Sequence, residues 1–88
     1  MSVTILLFAS AKEACDNLSS FTIPLNTPIT TDELKGILVQ KYPSLGPMFE
    51  EGEDSLTIAL NEEYLLPGVV TMVKGGDEVA LIPPISGG

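Results

Sequence analysis

No histidine and no arginine occur in this sequence, and there is one cysteine, Cys15. Without histidine there is no serine–histidine–aspartate triad and no imidazole metal site, and one thiol can supply neither a thiolate cluster nor an internal disulfide framework. Cys15 has no evident activating base, so it reads as a structural thiol rather than a nucleophile. Positive charge is scarce as well: four lysines stand against 12 acidic residues, for a net charge of −8. That balance repels phosphate backbones and anionic bilayers, so neither nucleic acid nor membrane is expected as a partner, and a basic protein is favoured. Long hydrophobic runs are missing too. The apolar run at residues 3–9 is far too short to span a bilayer, and no basic segment precedes it as a signal peptide would require. These absences lead to the expectation of a protein of the reducing cytosol. At 88 residues the chain should form one small domain with one core, burying about 60% of its unfolded surface and leaving little room for a deep catalytic pocket.

Local patterns predict strands around one clear helix. Residues 3–8 form a nearly continuous apolar run with β-branched members, which suits a central strand buried on both faces. A polar connection over residues 10–20 has room for a helical turn at residues 11–15. Phe21, Ile23 and Leu25 alternate with Thr22 and Pro24, predicting a second strand that pairs with the first as a hairpin, with Pro24 placing it at a sheet edge. Thr30-Thr31-Asp32-Glu33 reads as a capping box, with Ile29 and Leu34 as a hydrophobic staple. Leu34, Ile37, Leu38 and Tyr42 recur on one helical face, and Pro43 stops the helix at Tyr42. Gly36 inside that helix costs up to about 1 kcal/mol relative to alanine, and close packing against the sheet would be one reason for it.

A connector with a short helical turn near residues 47–50 follows. Leu56, Ile58 and Leu60 predict a third strand, Asn61-Glu62-Glu63 a turn, and residues 64–66 and 69–73 further extended segments. Gly75-Gly76-Asp77 is a tight turn, and residues 78–82 are the last strand. Strands gathered around one helix, without βαβ alternation, indicate an α+β fold.

Little of this carries chemistry. Glu62-Glu63 and Asp77-Glu78 read as solvated acidic edges. Gly75-Gly76 lacks the strand-to-helix setting and lysine of a phosphate loop. The cluster Glu50, Glu51, Glu53 and Asp54 lacks EF-hand spacing and reads as a solvated loop. What remains is the run Pro83-Pro84-Ile85-Ser86-Gly87-Gly88. Two prolines hold its start in polyproline geometry, so six residues could carry the Gly88 carboxylate roughly 18 Å from the sheet. The diproline also lowers the entropy cost of ordering the segment in another protein's active site. Gly87 and Gly88, lacking β-carbons, fit a narrow channel and leave the terminal carbonyl open to attack. A second clue lies in the strands. Leu6 and Phe8 in the first, and Ala80 and Ile82 in the last, are apolar on the face opposite Ile5, Leu7, Val79 and Leu81. One face should cover the helix, and the face with Phe8 and Ile82 is the expected partner interface.

These residues resemble a family, the ubiquitin-like sulfur carriers, and within it the small subunits of molybdopterin synthase. The resemblance rests on Leu7-Phe8-Ala9, on Lys12-Glu13, and on Gly76-Asp77-Glu78-Val79-Ala80 joined to Ile82-Pro83-Pro84-Ile85-Ser86-Gly87-Gly88. It implies a β-grasp fold over residues 1–82, with a mixed sheet of four to five strands packed on one main helix, and an extended tail over residues 83–88. It also implies a chain with no catalytic site of its own. An adenylating enzyme akin to the ubiquitin activators would use ATP to make an acyl-adenylate at Gly88, and a sulfur donor would convert this to a thiocarboxylate. AMP and sulfur would thus be covalent intermediates, with no cofactor permanently bound. The large subunit of molybdopterin synthase would receive the tail, in a heterotetramer of two large and two small subunits, and sulfur would pass to the cyclic pyranopterin precursor. Lys12 matches a basic family position near the interface, and Pro83, Pro84, Ile85 and Ser86 would belong to the same partner interface. Carriers for thiazole synthesis or transfer-RNA thiolation, and ubiquitin-like modifiers, share the terminal Gly-Gly; Pro-Pro-Ile-Ser argues against the first two.

Overall fold

A computed structural model describes residues 1–50, 56–66 and 68–83. The expected acidic loop, apart from Glu50, and the expected tail beyond Pro83 lie outside these residues.

The first strand, β1 (Ser2–Leu7), leads through Phe8 into a short helix, α1 (Ala9–Ala14), and returns as β2 (Ser20–Pro24). β1 and β2 pair antiparallel from Ser2 opposite Pro24 to Leu6 opposite Ser20, which is the expected hairpin. A two-residue strand, β3 (Ile29–Thr30), enters the main helix, α2 (Thr31–Lys41). The capping box is complete: the Glu33 amide donates to Thr30 Oγ1 at 3.1 Å and the Thr30 amide to Glu33 Oε1 at 3.0 Å. A 3-10 turn (Pro43–Leu45) and α3 (Gly46–Phe49) follow, then β4 (Thr57–Leu60), β5 (Glu63–Tyr64), β6 (Met72–Val73) and β7 (Glu78–Ile82).

Five strands form one mixed sheet in the order β2-β1-β7-β4-β5, with β7 parallel to β1 and antiparallel to β4. β2 is an edge strand, where the missing amide of Pro24 costs no ladder bond. One face of this sheet covers α2, the β-grasp arrangement expected from the resemblance. Val3, Ile5 and Leu7 from β1, Val79 and Leu81 from β7, Ile58 from β4, and Leu34 and Leu38 from α2 make the buried core. Cys15 is buried among them, and burial, with Asp16 beside it, raises its thiol pKa, so the structural reading of this residue stands.

Three expectations need correction. β1 is not buried on both faces: Val3, Ile5 and Leu7 are buried while Thr4 and Leu6 remain partly open, because α2 packs on one side of the sheet only. Ile37 does not join the helix's buried stripe. It is 36% exposed, and Thr31, Leu34 and Leu38 are the residues of α2 that are buried, at a spacing of three and four. Gly36 does not pack against the sheet, since it is exposed and a β-carbon there would meet nothing within 4 Å. Gly36→Ala is therefore expected to stabilise the fold by up to about 1 kcal/mol, read as a rise in denaturation midpoint. The extended segment expected at residues 69–73 is present as β6, over Met72–Val73. β6 pairs antiparallel with β3 as a separate two-stranded ribbon, and Thr31 Oγ1, at the start of α2, accepts from the Thr71 amide at 3.2 Å.

Asp77 is the remaining departure. Read as part of a solvated acidic edge, it is 6% exposed and forms the centre of a polar clasp. Its carboxylate accepts from Lys74 Nζ at 2.8 Å, the Lys74 amide at 2.9 Å and Asn61 Nδ2 at 3.1 Å. The Glu78 amide in turn donates to Asn61 Oδ1 at 2.9 Å, so the clasp ties the β4–β5 turn to the start of β7. Gly76, at φ +93°, supplies the left-handed residue of the Lys74–Asp77 turn, and its amide donates to the Ser2 carbonyl. The hydrogen bonds from Lys74, then that from Asn61, hold Asp77 at a pKa of about 2, below its usual 3.8. Because the folded state favours the charged form, this contribution to stability is complete above about pH 4 and is lost as pH falls through 2. Asp77→Ala is expected to cost about 1.5–3 kcal/mol at pH 7 and to flatten the acid limb of unfolding between pH 4 and 2. Chemical denaturation across that range checks both effects.

Candidate functional site: the open sheet face and the exit of β7

The face of the sheet opposite α2 is where the expected interface residues meet. Along β7, alternation sends Val79 and Leu81 into the core and leaves Ala80 and Ile82 half-buried on the other side. β1 runs parallel to β7 with Leu6 opposite Ala80, so Leu6 shares that face. Phe8, just past the end of β1, is 47% exposed, and its ring joins Leu6, Ala80 and Ile82 around one depression. Exposure of a phenylalanine in a patch of this kind, rather than singly, marks a contact surface.

Lys12 lies beside this surface. The carbonyl of Phe8 accepts from the amides of Ala11 and Lys12, at 3.0 and 3.4 Å, as α1 begins, and Lys12 borders a neighbouring hollow with Leu6, Phe8, Ser19 and Ser20. Pro83 follows Ile82 directly and is half-buried. Pro84, Ile85, Ser86, Gly87 and Gly88 lie outside the described residues. The strand from which they continue is paired on both sides, by β1 and by β4.

Four further residues belong to the face and were not predicted as such: Glu78, at the start of β7, and three from around one hairpin, Ala59, Tyr64 and Glu62. The β4–β5 hairpin brings the last three in. Leu60 pairs with Glu63 and Ala59 with Tyr64, leaving Asn61 and Glu62 as a two-residue turn with φ of 50° and 73°. That is the left-handed pair a tight hairpin needs, built here without glycine at its second position. The signal was present in the sequence, since Asn61-Glu62 separates two apolar segments, but the facing of Tyr64 depends on register. Tyr64 is 71% exposed, the most open aromatic of this face.

Among the described residues no three histidine, cysteine, aspartate or glutamate side chains come together as a metal site would require. No helix among them is long and apolar enough to cross a membrane. The arrangement can present an apolar surface to another protein, and it can aim whatever follows Ile82.

Comparison with known proteins agrees with this architecture. The chain is 40% identical over 86 residues to the molybdopterin synthase sulfur carrier subunit of Arabidopsis thaliana, covering 98% of this chain and 82% of that one. Among solved structures it resembles small archaeal modifier protein 1 of Methanosarcina acetivorans, with a TM-score of 0.76 and 28% identity over 99% of this chain and 96% of that one. A chain in the complex of subunits 1 and 2 of the molybdopterin-converting factor of Helicobacter pylori matches over the full length of both, with a TM-score of 0.65 and 28% identity. The ThiS family profile matches residues 5–88, nearly the whole sequence. With its ubiquitin-like β-grasp fold and this match, the chain belongs to the ThiS family.

Proposed function

We propose that this protein is a sulfur carrier, the small subunit of a molybdopterin synthase. The observation that carries the reading is the placement of β7. It is paired on both sides within the sheet, it contributes Ala80 and Ile82 to the open apolar face, and it continues directly into residues 83–88. The 40% identity to a sulfur carrier subunit supports the same reading.

In this reading residues 1–82 are a rigid mount and residues 83–88 the working arm. The Gly88 carboxylate attacks the α-phosphorus of ATP on an adenylating enzyme, releasing pyrophosphate and forming an acyl-adenylate. A hydrosulfide equivalent from a sulfur donor then attacks the acyl carbon, forming the C–S bond as the C–O bond to AMP breaks, and leaves a thiocarboxylate with AMP released. Activation is required because an unactivated carboxylate is a poor electrophile with a poor leaving group. In the large subunit the thiocarboxylate sulfur passes to the pyranopterin precursor, and hydrolysis returns the carboxylate. Two carriers are consumed for the two dithiolene sulfurs. The protein holds no cofactor of its own, acts in the cytosol, and assembles as two small and two large subunits.

The test is reconstitution of thiocarboxylated protein with a molybdopterin synthase large subunit and the pyranopterin precursor. Formation of the dithiolene product is expected; sulfur transfer to a thiazole synthase and none to the pterin would refute the assignment. The likeness to an archaeal modifier favours one alternative, isopeptide attachment through Gly88. Conjugates to substrate lysines in the native host would identify it.

A further inference from the structure

Register turns the open face into a groove of uneven chemistry. Leu6 stands opposite Ala80, Ala80 opposite Ala59, and Ala59 opposite Tyr64, so one row crosses four strands as large, small, small, large. The two methyl groups make a floor between the Leu6 and Tyr64 side chains. Glu78, Ala80 and Ile82 follow one another along β7 at roughly 7 Å spacing. The groove therefore runs from an acidic end, where Glu62 joins Glu78, over the alanine floor, to the point where the chain leaves toward Pro83.

The acidic end is not neutralised from within. All four lysines lie among the described residues; Lys35 pairs with Asp32 and Lys74 with Asp77. Among the described residues no cation lies within salt-bridge distance of Glu62 or Glu78, and both are exposed. Two unpaired carboxylates beside an apolar seat complement a partner surface of opposite charge.

We propose that this groove selects its protein partner by a two-part code: an apolar side chain seated on Ala59 and Ala80, and a lysine or arginine from the same partner surface set between Glu62 and Glu78. The code rests on the reading of this face as the large-subunit docking surface, and it specifies the chemistry and direction of the docked segment. The cation lies at the end away from the tail. Charge at that end speeds encounter and fixes the partner's orientation along β7, which aims residues 83–88 into the partner rather than past it. The alanine floor rejects segments by size, since any larger side chain there fills the seat.

Association of the full-length chain with the large subunit from the same genome, measured by calorimetry at low and physiological salt, tests the code. Glu62→Gln and Glu78→Gln are each expected to weaken binding about 3- to 10-fold at low salt and to flatten its salt dependence. Ala80→Leu is expected to weaken it at least about 10-fold at either salt. Glu50→Gln, at the end of α3, makes the same change in net charge and is expected to do neither. Glutamate variants that behave like Glu50→Gln, or an Ala80→Leu chain that binds like the wild type, overturn the code. Phe8→Asp separates that failure from a deeper one. If it weakens binding while the glutamate variants do not, the docking face stands without the code; if it too leaves affinity unchanged, both fall.

Discussion

Removing Gly88 is expected to abolish sulfur transfer outright while leaving thermal unfolding of the domain unchanged. Among the described residues the last core member is Leu81, and β7 ends at Ile82. The core built by the described residues is complete without residue 88, so its deletion is expected to leave stability unchanged. On the proposed function the chemistry would lose its reagent. A chain ending at Gly87 still presents a carboxylate, but one residue short, by about 3 Å in extended backbone. Displacement of a reacting group by even 1 Å can cost on the order of 100-fold in rate, and activation and transfer in two different enzymes both depend on reach. Association with the large subunit should change far less than turnover, because the open sheet face is intact. A large drop in unfolding temperature would instead mean that the tail is part of the fold.

Phe8→Asp is expected to lower affinity for the large subunit by more than about 30-fold, equivalent to at least about 2 kcal/mol. Aromatic residues near the centre of an apolar patch commonly carry a disproportionate share of binding energy. The substitution also does more than delete a ring. It would place a third carboxylate on a face that already carries Glu62 and Glu78, and desolvating an unpaired charge there opposes docking. Stability should barely move, because Phe8 stands on the open side of the sheet and the fully buried Ile5 and Leu7 hold β1 in place. Equilibrium titration with the large subunit, alongside thermal unfolding, separates these effects. Unaltered affinity would remove Phe8, and this face with it, from the interface.

Local signals in the sequence were the dependable ones. Thr30 and Glu33 marked the start of α2 because a capping box is made by residues three apart. Pro24 marked an edge strand because a missing amide can be tolerated only there. Period-two alternation placed Leu6, Phe8, Ala80 and Ile82 on one face before any pairing was known. What escaped depended on distant partners. β3 and β6 are two residues each and lie about 40 residues apart, too short to show periodicity. Asp77 looked solvated because its neighbours are glycine and glutamate, yet its carboxylate is held by Asn61, 16 residues upstream, as well as by Lys74. Ala59 and Tyr64 joined the open face only once the Asn61-Glu62 turn fixed the β4–β5 register. Ile37 was misassigned because helical spacing allows a wider stripe than one face of a small sheet can cover.

If the β-grasp domain presents Gly88 as a sulfur-bearing reagent, sulfur must be found at that residue. Intact-mass measurement tests it most directly, on protein taken from its native host or incubated with the adenylating enzyme, ATP and a sulfur donor. A mass increase equal to replacement of one oxygen by sulfur is expected, localised to Gly88 by fragmentation and absent when ATP is withheld. An unchanged mass with a competent activating enzyme, or sulfur found on Cys15 instead of Gly88, would contradict it.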